Sequence, residues 1–206
     1  MDGKKLWMDW AVELQSLAQA GLFYGRDKYD RERYRRIREI AAEIAAHQSD
    51  MPLEKVKEVF CCESGYQTPK LDTRAAIIRD GRILLVREEN GLWSLPGGWA
   101  DVDISLGENV VKEAREEAGV EVRPTLVVAI QDRERHNRPP SLQKVCKVFV
   151  LCDLLGGEFR ENLETTGSGW FAPDELPEMD CGRNTPEQVR LCFEASRADH
   201  WRTILE

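Results

Sequence analysis

The period of the apolar positions changes once along the chain. Up to about residue 60 they recur at three- and four-residue steps, and from about residue 70 short β-rich runs alternate with further helical stretches. Leu6, Trp10, Leu14, Leu17 and Gly21 share one face of a helix, which Gly21 is expected to end before a short Gly-Leu-Phe-Tyr-Gly turn. A second helix is predicted over residues 27–47, striped by Tyr34, Ile37, Ile40, Ala41 and Ile44. Its outer face carries Glu32/Arg36 and Glu39/Glu43 and is only partly salt-bridged. Met51-Pro52 opens a third, short helix ending near Cys61, and Gln67-Thr68-Pro69 reads as a linker. Residues 74–79 and 82–87 read as strands joined by Asp80-Gly81, a strong two-residue hairpin signal. There follow a helix over 105–118, strands at 126–131 and 145–154, a turn at Gly156-Gly157 and a strand at 169–172. A last helix is expected over 185–201, with Pro186 at its first position.

This order predicts a helical N-terminal domain over 1–66 and a mixed domain over 67–206. The class is α+β, an α/β/α sandwich around a mixed sheet. At 42% apolar residues the chain can build a core, yet no run approaches the roughly 18 apolar residues of a membrane span. The stretch Met1–Trp10 is too polar for a secretory leader, so the expected location is the cytoplasm. A net charge of −8 argues against a general nucleic-acid surface. It leaves room for a small anionic substrate, because a bound cation inverts the local field. Six cysteines with no C-x-x-C pair, and only three histidines, argue against zinc. The cysteines are expected to be mostly buried apolar residues.

The segment 98–120 carries the candidate chemistry. Glu113, Glu116 and Glu117 stand at i, i+3 and i+4 and so share one side of a helix. Val110, Val111, Ala114 and Ala118 form a neighbouring apolar side that would pack on a sheet. Like charges at this spacing repel, and the C-terminal end of a helix disfavours anions. A hard divalent cation would remove both penalties, and oxygen ligands select magnesium, manganese or calcium. The plain alternative is a solvated acidic face. Leu95-Pro96-Gly97-Gly98 lies just ahead, where a Gly98 carbonyl could add a further metal oxygen. Gly119 fits a C-terminal helix cap.

This segment resembles the Nudix box, G-x5-E-x7-R-E-U-x-E-E-x-G-U, where U is a bulky apolar residue. Gly98, Glu113, Glu116, Glu117, Gly119 and Val120 match it, with Ala114 at the first U. Ile104 replaces its first glutamate and Lys112 its arginine. Those two side chains commonly form a supporting ion pair in the family, and their joint loss reads as a coupled swap. Glu13-Leu14-Gln15 and Ala18-Gln19-Ala20-Gly21-Leu22 resemble the accessory domain of Nudix enzymes that hydrolyse X-linked nucleoside diphosphates. Gly97-Gly98-Trp99-Ala100-Asp101-Val102 is similar to the same subgroup, which includes CDP-choline pyrophosphatases.

The resemblance implies a Nudix sandwich and hydrolysis of a pyrophosphate with Mg2+ or Mn2+, releasing a nucleoside monophosphate and phospho-X. It implies Glu113, Glu116 and Glu117 as metal ligands. Glu164, in Leu163-Glu164-Thr165-Thr166, is the candidate general base, set against an ordinary loop glutamate. Arg74, Arg87 and His136 are candidate substrate contacts, and Trp93, Trp99 or Phe171 could stack on a base. CDP-choline, UDP-sugars and ADP-ribose all call for the same metal chemistry. Trp7, Trp10, Phe23 and Tyr24 give the N-terminal segment a large apolar payload for a small bundle. A homodimer is therefore expected, with no DNA or membrane partner and RNA disfavoured by the acidic charge. The competing reading is a nucleotide sensor on the same scaffold, motivated by Ile104 and Lys112.

Overall fold

Two consecutive positive-φ residues, Asp80 at 52° and Gly81 at 74°, make the tight turn whose twist suits a hairpin. They join β1 (Lys70–Arg79) to β2 (Arg82–Glu88). The computed structural model describes residues 3–49, 51–160, 162 and 164–206. The chain divides into two compact units, Met1–Pro69 with Pro140–Lys144, and Lys70–Pro139 with Val145–Glu206.

The larger unit continues with β3 (Trp93–Ser94), α4 (Leu106–Ala118), β4 (Val120–Asp132), α5 (Arg133–His136), β5 (Val145–Gly157), β6 (Thr165–Phe171), α6 (Pro186–Arg197) and β7 (Ile204–Leu205). Its strands form one mixed sheet in the order β3-β2-β1-β5-β4-β7, with β6 also on β2. β1 runs parallel to β5, from Lys70↔Val145 to Ile77↔Cys152. β4 is antiparallel to β5. Successive strand residues point to opposite faces, so β1 and β2 each feed two cores. Ala75, Ile77, Leu84 and Val86 pack with Val110, Ala114 and Ala118 of α4. Ala76, Ile83 and Leu85 pack with Val189, Cys192 and Phe193 of α6. Burial on both faces explains why these strands read as continuous apolar runs.

The smaller unit holds α1 (Gly3–Tyr24), α2 (Lys28–Ser49) and α3 (Leu53–Phe60). Met8, Ala11, Val12, Ala41, Ala42, Ala45, Val56, Phe60 and Leu142 form its core. Buried Gln15 donates to Gln19 and to the Phe60 carbonyl, at 3.1 and 3.0 Å. No helix among the described residues is long and apolar enough to cross a membrane.

Several expected boundaries move, each for a packing reason. Gly21 does not end α1, which continues to Tyr24. A Cβ on Gly21 would lie 2.5 Å from the Tyr34 ring, so the glycine lets α2 approach closely. Gly156-Gly157 is not a turn: both residues extend β5 and pair with Glu121 and Val120. β4 accordingly begins directly after Gly119, and α6 stops at Arg197. The cysteines are free, and only Cys152 and Cys192 are buried, whereas Cys62 and Cys181 are exposed.

Candidate active site

α4 carries the acidic cluster, and its ends are well defined. Ser105 and Glu108 form a reciprocal capping box at the start, and Gly119 closes the helix in the left-handed region at φ 67°. Because Val110, Ala114 and Ala118 face the sheet, Glu113 and Glu117, one step round the helix, are drawn into its lee. They are 7% and 3% exposed. Glu116 lies further round, with half of its side chain in solvent.

The loop before α4 is laced to β1. Thr73 N–H donates to the Gly98 carbonyl at 2.9 Å, Ala75 N–H to Pro96 at 2.8 Å, and Ala100 N–H to Leu71 at 2.8 Å. Gly97 sits at φ 141°, and a Cβ there would meet the Thr73 carbonyl at 2.0 Å. Only glycine fits that contact. Its N–H donates to Glu117 Oε2 at 2.8 Å. Buried Asn109 ties the same parts together, donating to Thr73 Oγ1 at 2.8 Å and accepting from Asp101 N–H at 3.1 Å.

The third carboxylate arrives from the far end of the chain. Thr165 Oγ1 donates to the Glu117 carbonyl at 2.7 Å. The Asn162 side-chain oxygen accepts from the backbone of Glu164 and Thr165 at 2.9 and 2.8 Å. This clasp seats the entry of β6 on the end of α4. One oxygen each of Glu113, Glu117 and Glu164 then lies within 4.8 Å of the others. Leu163, beside Glu164, lies outside the described residues.

Burial pushes the Glu117 carboxyl up to about 7; the Arg74 charge and the Gly97 N–H pull it back, and Glu88 and Glu113 add to the rise. Glu113 is raised as well, mainly by burial, with Lys112 opposing. Two buried carboxylates and an exposed one this close form a hard oxygen donor set that fits Mg2+ or Mn2+. The side-chain direction that Gly98 leaves empty points at Glu113, since a Cβ would come within 2.9 Å of Oε2.

The sequence-derived site residues divide accordingly. Glu113, Glu117 and Glu164 are brought together, and Glu116 instead contacts Lys112 Nζ at 3.4 Å. The Gly98 carbonyl accepts from Thr73 N–H, which occupies one of its two lone pairs. Arg74 does not reach the solvent: it is 2% exposed. Its Nε and Nη2 donate to the two Asp72 oxygens at 2.8 Å each, and Nη1 to the Leu95 carbonyl at 3.2 Å. Lys147 Nζ adds a 2.9 Å bond to Asp72. Arg74 therefore acts on Glu117 through its charge and does not line the carboxylate cleft as a substrate contact would. Arg87 has the strand parity of Ile83 and Leu85, which face α6, and donates to Gly91 at 3.2 Å. The pleat turns it away and presents Glu88 to the cleft. His136 Nε2 is held by the Glu206 carboxylate at 2.9 and 3.0 Å and does not line the carboxylate cleft. Of the aromatics, Trp93 and Phe171 pack edge-on at 4.8 Å beside the α6 core, and Trp99 is exposed.

Sequence reasoning missed three groups. Asp101 Oδ2 lies 3.0 Å from Lys112 Nζ, which also reaches Glu113 at 3.3 Å. An ion pair thus exists in spite of Ile104, with its carboxylate supplied three residues earlier. Buried Glu88 accepts from Ser94 Oγ at 2.7 Å and pairs with Arg183 at 3.1 Å. Glu88, Glu89, Asn90, Glu117, Glu164 and Arg183 line a cleft of about 490 Å³. Asp101 stood inside a quoted motif, but nothing local pairs it with Lys112. Glu88 and Arg183 meet only through the fold.

The family described as "NUDIX domain" matches residues 69–190, and that described as "UDP-X-like, N-terminal oligomerisation domain" matches residues 5–60. A Bacillus subtilis (strain 168) protein described as "Putative ADP-ribose pyrophosphatase" is 38% identical over 201 residues, covering 97% of each chain. The crystal structure of an ADP-ribose pyrophosphatase from Streptococcus suis is similar at 57% identity and a TM-score of 0.64, covering 68% of this chain and all (100%) of that one. The crystal structure of a UDP-X diphosphatase is 32% identical, with a TM-score of 0.64 over 98% of this chain and 99% of that chain.

Proposed function

Since the chain belongs to the Nudix family and is a pyrophosphohydrolase of that family, we propose that its substrate is a nucleoside diphosphate joined to a second group X, cut to a nucleoside monophosphate and phospho-X with Mg2+ or Mn2+. The observation that carries the reading is the carboxylate triangle of Glu113, Glu117 and Glu164, closed to 4.8 Å. These three would hold the ion, and Glu116, further round α4, would join them by turning from Lys112. The ion would neutralise phosphoryl charge and acidify water. Gly97 N–H and the Arg74 charge keep Glu117 oriented and ionisable. Glu164, the exposed member of the triangle, would take the proton of the attacking water on its second carboxylate oxygen. The water oxygen bonds to one phosphorus as the bond from that phosphorus to the bridging oxygen breaks. Named relatives support ADP-ribose and UDP-linked compounds as the first substrates to try, and the likeness of residues 97–102 to CDP-choline pyrophosphatases adds CDP-choline.

We also propose a homodimer through the helical unit. The oligomerisation-domain match supports it. So does the outer side of α1, where Trp7, Trp10, Leu17, Phe23 and Tyr24 are all exposed.

A panel of ADP-ribose, UDP-glucose, CDP-choline, NADH and a short RNA, with either metal, tests the substrate reading by phosphorus-containing products. Turnover of one diphosphate that falls at least about 100-fold in Glu117→Gln, the scale of losing one electrostatic group, with no RNA cleavage, is the expected result. Cleavage of RNA alone, or equal rates for the variant, would overturn it. Light scattering at micromolar concentration should return twice the 23.6 kDa chain mass.

A further inference from the structure

Building on that reading of the cleft, we propose that Arg183 is the protein's own anion hook for the substrate, binding non-bridging oxygens of the diphosphate opposite the metal carboxylates. The cleft that contains Glu117 and Glu164 is lined by four carboxylates and Asn90, and Arg183 is the one cation among its described lining residues. With the carboxylates given over to divalent ions, Arg183 is the lining group left to meet a phosphoryl oxygen directly. Guanidinium suits that task, because its planar fork matches phosphate and keeps its charge at every working pH.

The residue is also prepared for it. The segment before α6 is zipped to β3: Trp93 N–H donates to Glu178 at 3.0 Å, and Asp180 N–H to Trp93 at 2.8 Å. Asp180 Oδ1 accepts from the backbone of Gly182 and Arg183 at 3.0 and 3.3 Å. Asn184 Oδ1 accepts from Leu95 N–H at 2.9 Å, fixing the segment to the glycine loop. Asn90 Nδ2, from the cleft lining, reaches Asp180 Oδ2 at 3.2 Å. Arg183 is therefore displayed on a tied-down backbone.

A purely structural role, as counter-ion of buried Glu88, accounts for only part of its capacity. A guanidinium has five N–H donors. Arg183 makes one close contact, Nη2 to Glu88 at 3.1 Å, and one long contact, Nε to Asp180 at 3.8 Å. Its side chain keeps 42% of its surface open. Glu88, itself held by Ser94, sets the direction of the fork and leaves donors over for a ligand.

The test compares wild type with Arg183→Ala and Arg183→Lys in three measurements. These are steady-state kinetics on ADP-ribose and UDP-glucose, calorimetric binding of ADP in the presence of Ca2+, and Mn2+ affinity without nucleotide by electron paramagnetic resonance. Loss of a charged hydrogen bond predicts a fall in kcat/KM and in ADP affinity of about 10- to 100-fold for Arg183→Ala. Arg183→Lys should recover part of both. Mn2+ affinity should stay level or tighten, since a cation has been removed beside the carboxylates. Two results overturn the proposal: ADP affinity unchanged within about threefold, or Mn2+ affinity falling in step with activity, which would make Arg183 a support for Glu88 alone. If wild type turns over neither nucleotide, the substrate reading fails, while the ADP arm still decides the role of Arg183.

Discussion

Glu117→Gln should make the metal-free protein more stable at pH 8 while removing its activity. Glu117 is 3% exposed, with Glu88 and Glu113 nearby. Its carboxyl titrates at about 7 in the fold against 4.5 for an ordinary glutamate. A raised acid means that the native state binds more protons than the unfolded chain between those values. Stability therefore falls as pH rises through that window, and the cost is fully present above pH 7. At about 1.4 kcal/mol for each tenfold, the displacement amounts to roughly 3 kcal/mol. Glutamine keeps the shape and an oxygen for the Gly97 N–H, but carries no charge. Urea denaturation followed by tryptophan fluorescence, in chelator, should show the variant ahead by roughly 2–3 kcal/mol at pH 8 and level with wild type near pH 4.5. Mn2+ at about 1,000 times Kd should reverse the order, because it adds about 4.1 kcal/mol to wild type alone. A variant no more stable at pH 8, or ahead by the same margin at both pH values, would refute the claim that Glu117 is held ionised at a cost.

Five further substitutions probe the supports of the site. Asp72→Asn leaves Arg74 and Lys147 buried together without a counter-charge and should cost about 3–5 kcal/mol in denaturation at pH 7. Lys147, which burial and Arg74 push down to about 8, should by contrast tolerate replacement by methionine within about 1 kcal/mol. Asp101→Asn opens a half-exposed pair worth under about 1 kcal/mol, so Mn2+ affinity should weaken about two- to fivefold with little change in Tm, and Lys112→Arg should match wild type. Gly97→Ala must move the Thr73 carbonyl or leave φ 141°, and should cost at least about 2 kcal/mol together with most of the activity.

What could be read along the chain was whatever obeys a short period. Helical spacing alone puts Glu113 and Glu117 on one side of α4 and Val110, Ala114 and Ala118 beside them. Asp80-Gly81, Gly119, and Thr185 with Pro186 mark element ends because the turn and cap chemistry is local. The parity of a strand is local too, but which face it presents to which helix is not. For that reason the chain shows Arg74 and Arg87 only as cations on a hairpin: in the fold one is buried with Asp72 and the other faces away from the carboxylates. Gly156-Gly157 looked like a turn because a glycine pair permits one, yet here it lets two backbones approach, as Gly119 and Val120 pass 2.4 and 2.8 Å from where the Gly157 Cβ would stand. The meeting of Glu164 with Glu113 and Glu117, of Asp101 with Lys112, and of Arg183 with Glu88 was decided by tertiary structure alone. Those contacts join residues 11 to 95 positions apart, and their hydrogen bonds form only after sheet and helices have closed the loops between them.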